Sequence, residues 1–293
     1  METTKTHWLL HVLFWGIACA AILPLLLVLI VSFTDEQTIL LHGYSFWPEK
    51  FSLEAYKYLM YDSATIFRAY GITILVTLVG TLGSLLITST LAYPLSRADL
   101  PCRKGFAFFV FFTILFNGGL VPWYLVFTQL LDVKDTIWAL IVPGLLLNGF
   151  NVLIMRTFFA NSIPAAVIES AYMDGAGELR IFAGFIVPLS KPVFATIGLF
   201  STLAYWNDWY NSMIFLSDSK YYSLQYLLNK ILLNIQFLSQ NTQNNNASAI
   251  IGMLPQETVR MAMAIIGVGP IVFAYPFFQK YFIKGLTIGA VKG

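Results

Sequence analysis

Six long apolar runs, at about residues 8–33, 69–96, 106–130, 136–159, 192–216 and 261–282, constrain this chain more than any other feature. A helix that crosses a bilayer core of about 30 Å needs ~20 apolar residues, and each run reaches that length. In hydrocarbon every backbone polar group must find its partner inside the segment, so such runs read as transmembrane helices. Membrane β-strands would instead show alternation over segments of ~10 residues, which this sequence lacks. Composition agrees, with 58% hydrophobic and 11% charged residues against roughly 25% charged in soluble domains. Neither a water-soluble shell nor a disordered chain can be built from those proportions. The expected fold class is all-α: a polytopic membrane protein with six transmembrane helices in one domain over residues 1–293.

The first run is about 25 residues long, beyond the 7–15 of a signal-peptide core, and no small-x-small boundary follows it. It reads as an uncleaved anchor. Six spans put both termini on one side. With that side cytoplasmic, the inner segments hold Lys5, Arg97, Arg103, Lys104, Arg156, Arg180, Lys191, Lys280, Lys284 and Lys292. The outer segments hold Lys50, Lys57, Arg68, Lys134, Lys220, Lys230 and Arg260. The inner excess, concentrated in the short loop 97–104, points to cytoplasmic termini under the positive-inside rule. Two outer segments are long. Residues 34–68 contain a short helical stretch at 53–60, and residues 217–260 contain the polar run 239–248, which reads as a solvated loop. Asn246-Ala247-Ser248 is formally a glycosylation sequon, but so common a tripeptide carries no weight.

Several chemistries are excluded. A net charge of +2 is too small for a nucleic-acid footprint. Cys19 and Cys102 offer neither a disulfide framework nor metal-ligand spacing. His7, His11 and His42 all precede the second run and form no H-E-x-x-H, so no metal site and no catalytic residue is expected. No phosphate-binding G-x-x-x-x-G-K-[ST] loop occurs, so nucleotide is not bound through one. The span interiors nearly lack ionisable groups, Asp208 being the main exception. Ion-driven carriers keep such groups at mid-membrane as relays or ligands. Energy for any transport is therefore expected from another polypeptide. An integral-membrane enzyme would need an ionisable cluster at one depth, and a standalone channel would leave the segment discussed next unexplained.

That segment is 160–191, ANSIPAAVIESAYMDGAGELRIFAGFIVPLSK. Ser162 is expected to cap a helix with Pro164 in its first turn, where a missing N–H costs nothing. The helix runs through Met173. Asp174-Gly175 and Gly177 end it, because glycine accepts the left-handed conformation of a helix terminus. A second short helix, 178–185, leads to Pro188 and Pro192 at the entry to the fifth run. A hairpin with few charges and with Val167, Ile168, Tyr172 and Met173 on its surface suits docking into a groove on a partner. The same pattern equally fits a re-entrant or interfacial loop.

Glu169-Ser170-Ala171, with Gly175 six residues after the glutamate and Pro188 nineteen after it, resembles the EAA loop of ATP-binding-cassette (ABC) importer permeases. Ser170, Phe185 and Val187 depart from that pattern by small or apolar exchanges that keep the turn glycine and the proline. The longer string from Ile163 to Pro192 is similar to the carbohydrate-uptake branch, relatives of the maltose permeases. The similarity extends to NGGLVPWYLV at 117–126, IMRTFF at 154–159, YWNDWYNS at 205–212 and PFFQKYFIKGLTIGAVKG at 276–293. The last looks like permeases for complex oligosaccharides, including alginate-type fragments.

This resemblance implies a type I ABC importer permease fold, multi-pass in a bacterial inner (cytoplasmic) membrane and in contact with its lipid. It implies that loop 160–191 is a coupling helix seated in a cleft of an ATPase, with Glu169, Ala171, Asp174, Gly175 and Pro188 as coupling residues. Two ATPase subunits would use ATP and Mg, while this chain binds no cofactor itself. A second, non-identical permease subunit and an extracytoplasmic solute-binding protein would complete an oligosaccharide importer working by alternating access. A permease for a non-sugar solute is the alternative, because a coupling loop does not set substrate.

Sugars are recognised by aromatic faces and by planar amides or carboxylates. Trp206-Asn207-Asp208-Trp209-Tyr210-Asn211 offers all of these within one and a half helical turns, as substrate-path candidates. An aromatic belt at the membrane interface is the competing reading. Asn148 and Asn151 in the fourth run form a second candidate pair, or else an interhelical hydrogen bond. Asn117-Gly118-Gly119 with Pro122 is expected to break the third run, and Gly267–Pro270 with Pro276 to bend the sixth, where a kink could gate the path.

Overall fold

The computed structural model describes residues 2–241 and 256–290. Helices dominate: α1 (Glu2–Ser32), α2 (Glu36–His42), α3 (Glu54–Met60), α4 (Ser63–Ser96), α5 (Arg103–Leu115), α6 (Leu120–Leu125), α7 (Trp138–Ile141), α8 (Gly149–Ser162), α9 (Ala165–Met173), α10 (Glu178–Ile181), α11 (Val187–Leu189), α12 (Lys191–Trp206), α13 (Tyr210–Phe215), α14 (Leu224–Asn241) and α15 (Gln256–Ala290). Among the described residues the only β pairing is a single antiparallel bridge between Thr34 and Phe51. The protein is all-α.

Among the described residues, two helices are long and apolar enough to cross a membrane: α4, and α1 over Leu10–Ser32. Three further pairs qualify only as bent units. Arg103–Leu115 meets Leu120–Leu130 at 112°, Gly149–Ser162 meets Ala165–Met173 at 77°, and Glu178–Leu189 meets Lys191–Trp206 at 82°. The bends have local causes. The first falls at Asn117-Gly118-Gly119, where Gly119 takes φ +89° and α6 starts immediately after. A π-helical turn, Val126–Leu130, closes that arm. The run at 136–159 is not one helix. Pro143 follows α7 and supplies no N–H, Gly144 turns at φ +75°, and helix resumes only at Gly149. By contrast α15 runs unbroken through Pro270 and Pro276.

Two expectations about local structure need correction. Ser162 does not cap α9; it is the last residue of α8. Ile163, restricted by the proline after it, is extended at φ −103°, ψ 115°, and Pro164 itself takes the cap position. Nor is residues 206–211 one helical stretch, because α12 ends at Trp206 and α13 begins at Tyr210. Within 217–260 the structure contains α14, while residues 242–248 and the sequon lie outside the described residues.

The chain divides into two compact units, Met1–Phe67 with Leu227–Pro270 and Arg68–Tyr226 with Ile271–Gly293. In the first, the Glu36 carboxylate accepts from the N–H of Glu257 and Thr258 at 2.9 Å each, and from the Thr258 hydroxyl at 2.7 Å. A carboxylate there matches the positive end of the α15 dipole. Phe33 stacks on Tyr56 at 5.0 Å, and the Tyr56 hydroxyl bonds Ser32 at 2.8 Å.

The second unit has two apolar cores. One joins Ala92, Tyr93 and Leu95 of α4 to Val110 of α5, Val152 and Met155 of α8, Ala171, Ile181 and Ile186 of the 160–191 segment, and Ile197 of α12. The other joins Val76 of α4, Leu140 and Ile141 of α7, Tyr205 of α12 and Phe215 of α13. Small side chains bring α4 and α12 together. A methyl added at Gly80 would fall on the buried Tyr205 ring, and Ser84–Ser201 and Thr81–Thr202 hydroxyls pair at 3.3 Å each. Gly149 does the same for α8, since a Cβ there would lie 3.0 Å from Ile114 and Thr113 of α5.

Candidate functional site

The 160–191 hairpin is built around one turn. At the end of α9 the N–H of Ala176 donates to Ala171 O at 3.0 Å, and the N–H of Gly175 to Tyr172 O at 2.9 Å. This pair is a Schellman closure, which requires a left-handed residue, and Gly175 supplies it at φ +76°. Gly177 then caps α10, and a π-helical turn, Phe182–Ile186, carries the chain into α11. Ala171 and Ile181 are buried and anchor both arms to the first core. Glu169, Asp174, Gly175 and Pro188 are exposed. So are two large apolar side chains, Met173 at 89% and Leu179 at 85%. The five coupling candidates thus fall into one buried anchor, Ala171, three exposed positions on the α9 arm and its turn, Glu169, Asp174 and Gly175, and the exposed Pro188 in α11.

The sequence gives little sign of what braces this hairpin. Tyr93, at the end of α4, donates from its hydroxyl to Glu178 Oε2 at 2.8 Å. Tyr172 donates to the other oxygen of the same carboxylate. Arg97 lies 5.4 Å from the Tyr172 ring centre and holds Asp99 through two bonds of 3.0 and 3.1 Å. The hydrogen bond to Glu178 pushes the Tyr172 phenol up. The hydrogen bond from Arg97 holds the Asp99 carboxyl below its ordinary range. Arg156 adds a bond of 3.0 Å to the Leu95 carbonyl. The only hint in the sequence was the charge of the short loop 97–104.

The 206–211 cluster is used differently. Asp208 accepts from the N–H of Tyr210 and Asn211, both at 3.1 Å, and so organises the start of α13. Asn211 is buried, and its amide donates to Pro143 O at 3.1 Å. Asn207 donates to Leu203 O at 2.9 Å as α12 ends. Ser223 closes the turn, donating to Asp208 O at 2.8 Å. Trp206 is buried, whereas Trp209 and Tyr210 are exposed. The Tyr210 ring stacks on Trp123 of α6 at 6.2 Å.

Asn148 and Asn151 are linked through the backbone N–H of Asn151. Asn148 caps α8, its Oδ1 accepting from Phe150 N at 2.9 Å and Asn151 N at 3.3 Å. Asn151 is buried one turn later. Asn148 shares a cavity of about 700 Å³ with Asn117, Gly118, Trp123 and Gly144. Among the described residues no group of three or more His, Cys, Asp or Glu side chains could hold a metal ion.

Comparison with known proteins agrees with this architecture. The family model for the binding-protein-dependent transport system inner membrane component matches residues 104–288. Protein LplC of Bacillus subtilis (strain 168) is 37% identical over 278 residues, spanning 95% of this chain and 92% of that protein. The polygalacturonan/rhamnogalacturonan transport system permease protein YtcP of the same strain is 37% identical over 277 residues, 94% of each. Among solved structures, a chain of a bacterial ABC transporter involved in the import of the acidic polysaccharide alginate is 28% identical with a TM-score of 0.78, covering 96% of this chain and 98% of that one.

Proposed function

The chain belongs to the family of binding-protein-dependent transport inner-membrane components, and on that footing we propose that it forms half of the pathway through which an ABC importer takes up oligosaccharides. It is a transport permease component and not an enzyme. The sugar reading draws on its relatives, which include the YtcP permease and the melibiose/raffinose/stachyose import permease MelC of Bacillus subtilis (strain 168). The alginate-importer structure supports the same substrate class. Nothing favours a non-sugar solute, a channel or a membrane enzyme.

The observation that carries the mechanism is the hairpin at 160–191. Its arms are anchored by Ala171 and Ile181, and its turn presents Met173 and Leu179 outward. Exposed apolar side chains on a rigid turn supply the contact area that a protein groove rewards. In this reading an ATPase subunit receives the turn, with Glu169 and Asp174 as polar contacts beside it. ATP and Mg are bound there and not by this chain. Two ATPases closing on ATP would move this chain and a second, non-identical permease between inward- and outward-open states. A solute-binding protein would deliver the sugar on the opposite side of the membrane, with both termini of this chain cytoplasmic.

The test is uptake of labelled trigalacturonate and raffinose by cells with and without this gene. Loss of uptake of at least one on deletion, restored by the gene, is the expected result. Undiminished uptake of every oligosaccharide tried would remove the sugar assignment.

A further inference from the structure

Two broken helices meet at one place in the second unit. The break between α5 and α6 and the break between α7 and α8 both open onto the cavity of about 700 Å³. Gly149 makes this possible, because α8 starts so close to α5 that a side chain there would press on Ile114 and Thr113. Irregular backbone at membrane depth persists where it is buried in protein or lines a polar cavity. Substrate sites of transporters recur at such interrupted helices. The volume lies within the roughly 300–1,000 Å³ of small-molecule sites.

The polar groups in this cavity are oriented by bonds to the backbone. Asn117 Oδ1 accepts from Gly119 N at 2.9 Å, and Asn148 Oδ1 accepts from Phe150 N and Asn151 N. A backbone N–H can be met only by the amide oxygen, so both orientations are settled by chemistry. Each side chain is left with its NH2 as a donor, and neither NH2 donates to any described residue. Trp123 contributes an indole beside them, half-buried and stacked on Tyr210. No charged residue lines the space.

We propose that this cavity is a glycan-contact site on the import path, where the Asn117 and Asn148 amides donate to sugar hydroxyl or carboxylate oxygens and Trp123 meets the C–H surface of a pyranose. The proposal rests on the oligosaccharide reading above. An uncharged lining gives contacts to hydroxyls that acidic and neutral sugars share, so one site serves both. The Tyr210–Trp123 stack makes the 206–211 turn continuous with the cavity, which gives the exposed rings there a place on the path even though Asp208 and Asn211 are occupied internally.

The experiment uses the whole importer, reconstituted with its ATPases, second permease and binding protein. Asn117→Asp with Asn148→Asp keeps an oxygen for each backbone N–H, because aspartate caps as well as asparagine, but removes both NH2 donors. Asn148→Ala serves as the comparison that loses the cap as well. Uptake of labelled trigalacturonate and raffinose is measured with thermal stability and basal ATPase rate. The expected result is a KM raised threefold or more for whichever sugar the wild type imports, the rise being larger for trigalacturonate, which the two new carboxylates also repel, with the Asp double variant still assembled in the complex. Normal wild-type uptake with an unchanged KM in that variant overturns this proposal alone. A stability loss matching that of Asn148→Ala also overturns it, since the NH2 groups would then be structural. Failure of the wild-type complex to import any oligosaccharide overturns the underlying reading and this site with it.

Discussion

The second unit presents two polar-aromatic turns that treat their side chains in opposite ways. At the 160–191 hairpin, the polar groups of Tyr93, Tyr172, Glu178 and Arg97 brace the base while Met173 and Leu179 stand out at 89% and 85% exposure. At the 206–211 turn, Asp208 and Asn211 satisfy backbone groups of α13 and Pro143, and Asn211 is only 3% exposed. The first turn spends its polar chemistry on holding a shape and offers apolar surface to something else. The second spends its polar chemistry on itself. A cluster rich in Trp, Asn and Asp is therefore not automatically the place where a solute is held, and an apolar turn on a rigid base is a better sign of a partner.

Five substitutions at four positions sharpen or break that contrast. Gly175→Asp strikes the partner-facing turn, where a side chain must adopt φ +76°. Uptake should fall tenfold or more while the protein reaches the membrane in normal amount, as an immunoblot of membranes would show. Normal uptake with the ATPase assembled would contradict the coupling role. Tyr93→Phe removes one bond to Glu178 and leaves the ring packed. A hydrogen bond to a charged group contributes about 1.5–3 kcal/mol, and the exposure of Glu178 places this one at the low end. Faster limited proteolysis within 160–191 is expected; an unchanged cleavage rate would show that the brace is idle.

Asp208→Ala addresses the self-directed turn. Loss of a helix-start acceptor costs about 1 kcal/mol, so thermal stability should drop while uptake per folded complex holds. Asp208→Asn should be nearly neutral, and abolished uptake in that stable variant would mean the carboxylate acts on the solute after all. The smallest effect belongs to Asp99→Asn, because surface ion pairs contribute about 0.2–1 kcal/mol. Asp99 has its carboxyl pKa depressed in the folded protein. Its contribution is therefore full above the unfolded value of about 3.9 and is lost as pH falls through the lower folded value. The stability gap between wild type and Asp99→Asn should be level from about pH 5 to 8 and close only below that unfolded value; a gap that closes between pH 5 and 8 would assign it to another group.

What the sequence disclosed follows the range of the forces involved. The Gly175 turn was legible because a left-handed helix end is local chemistry. The break at Asn117-Gly118-Gly119 was legible for the same reason. Ser162 misled because a good cap residue can equally finish the helix before it, and the Ile163-Pro164 pair decided where α8 stopped. The internal roles of Asp208 and Asn211 depend on Ser223 and Pro143, and that of Glu178 on Tyr93, partners 15, 68 and 85 residues away. No periodicity or motif encodes such pairings. The meeting of Asn117 with Asn148 at one cavity likewise needed the close approach at Gly149.

The most direct test of the contrast is site-specific disulfide crosslinking in native membranes, in a chain whose exposed Cys19 and Cys102 are first replaced by serine. Met173→Cys and Leu179→Cys report on the hairpin turn, and Tyr210→Cys on the other, each paired with cysteines placed around the groove of the ATPase subunit. The account predicts a permease–ATPase crosslink from positions 173 and 179 and none from position 210. No crosslink from either hairpin position, or one of equal yield from position 210, would contradict it.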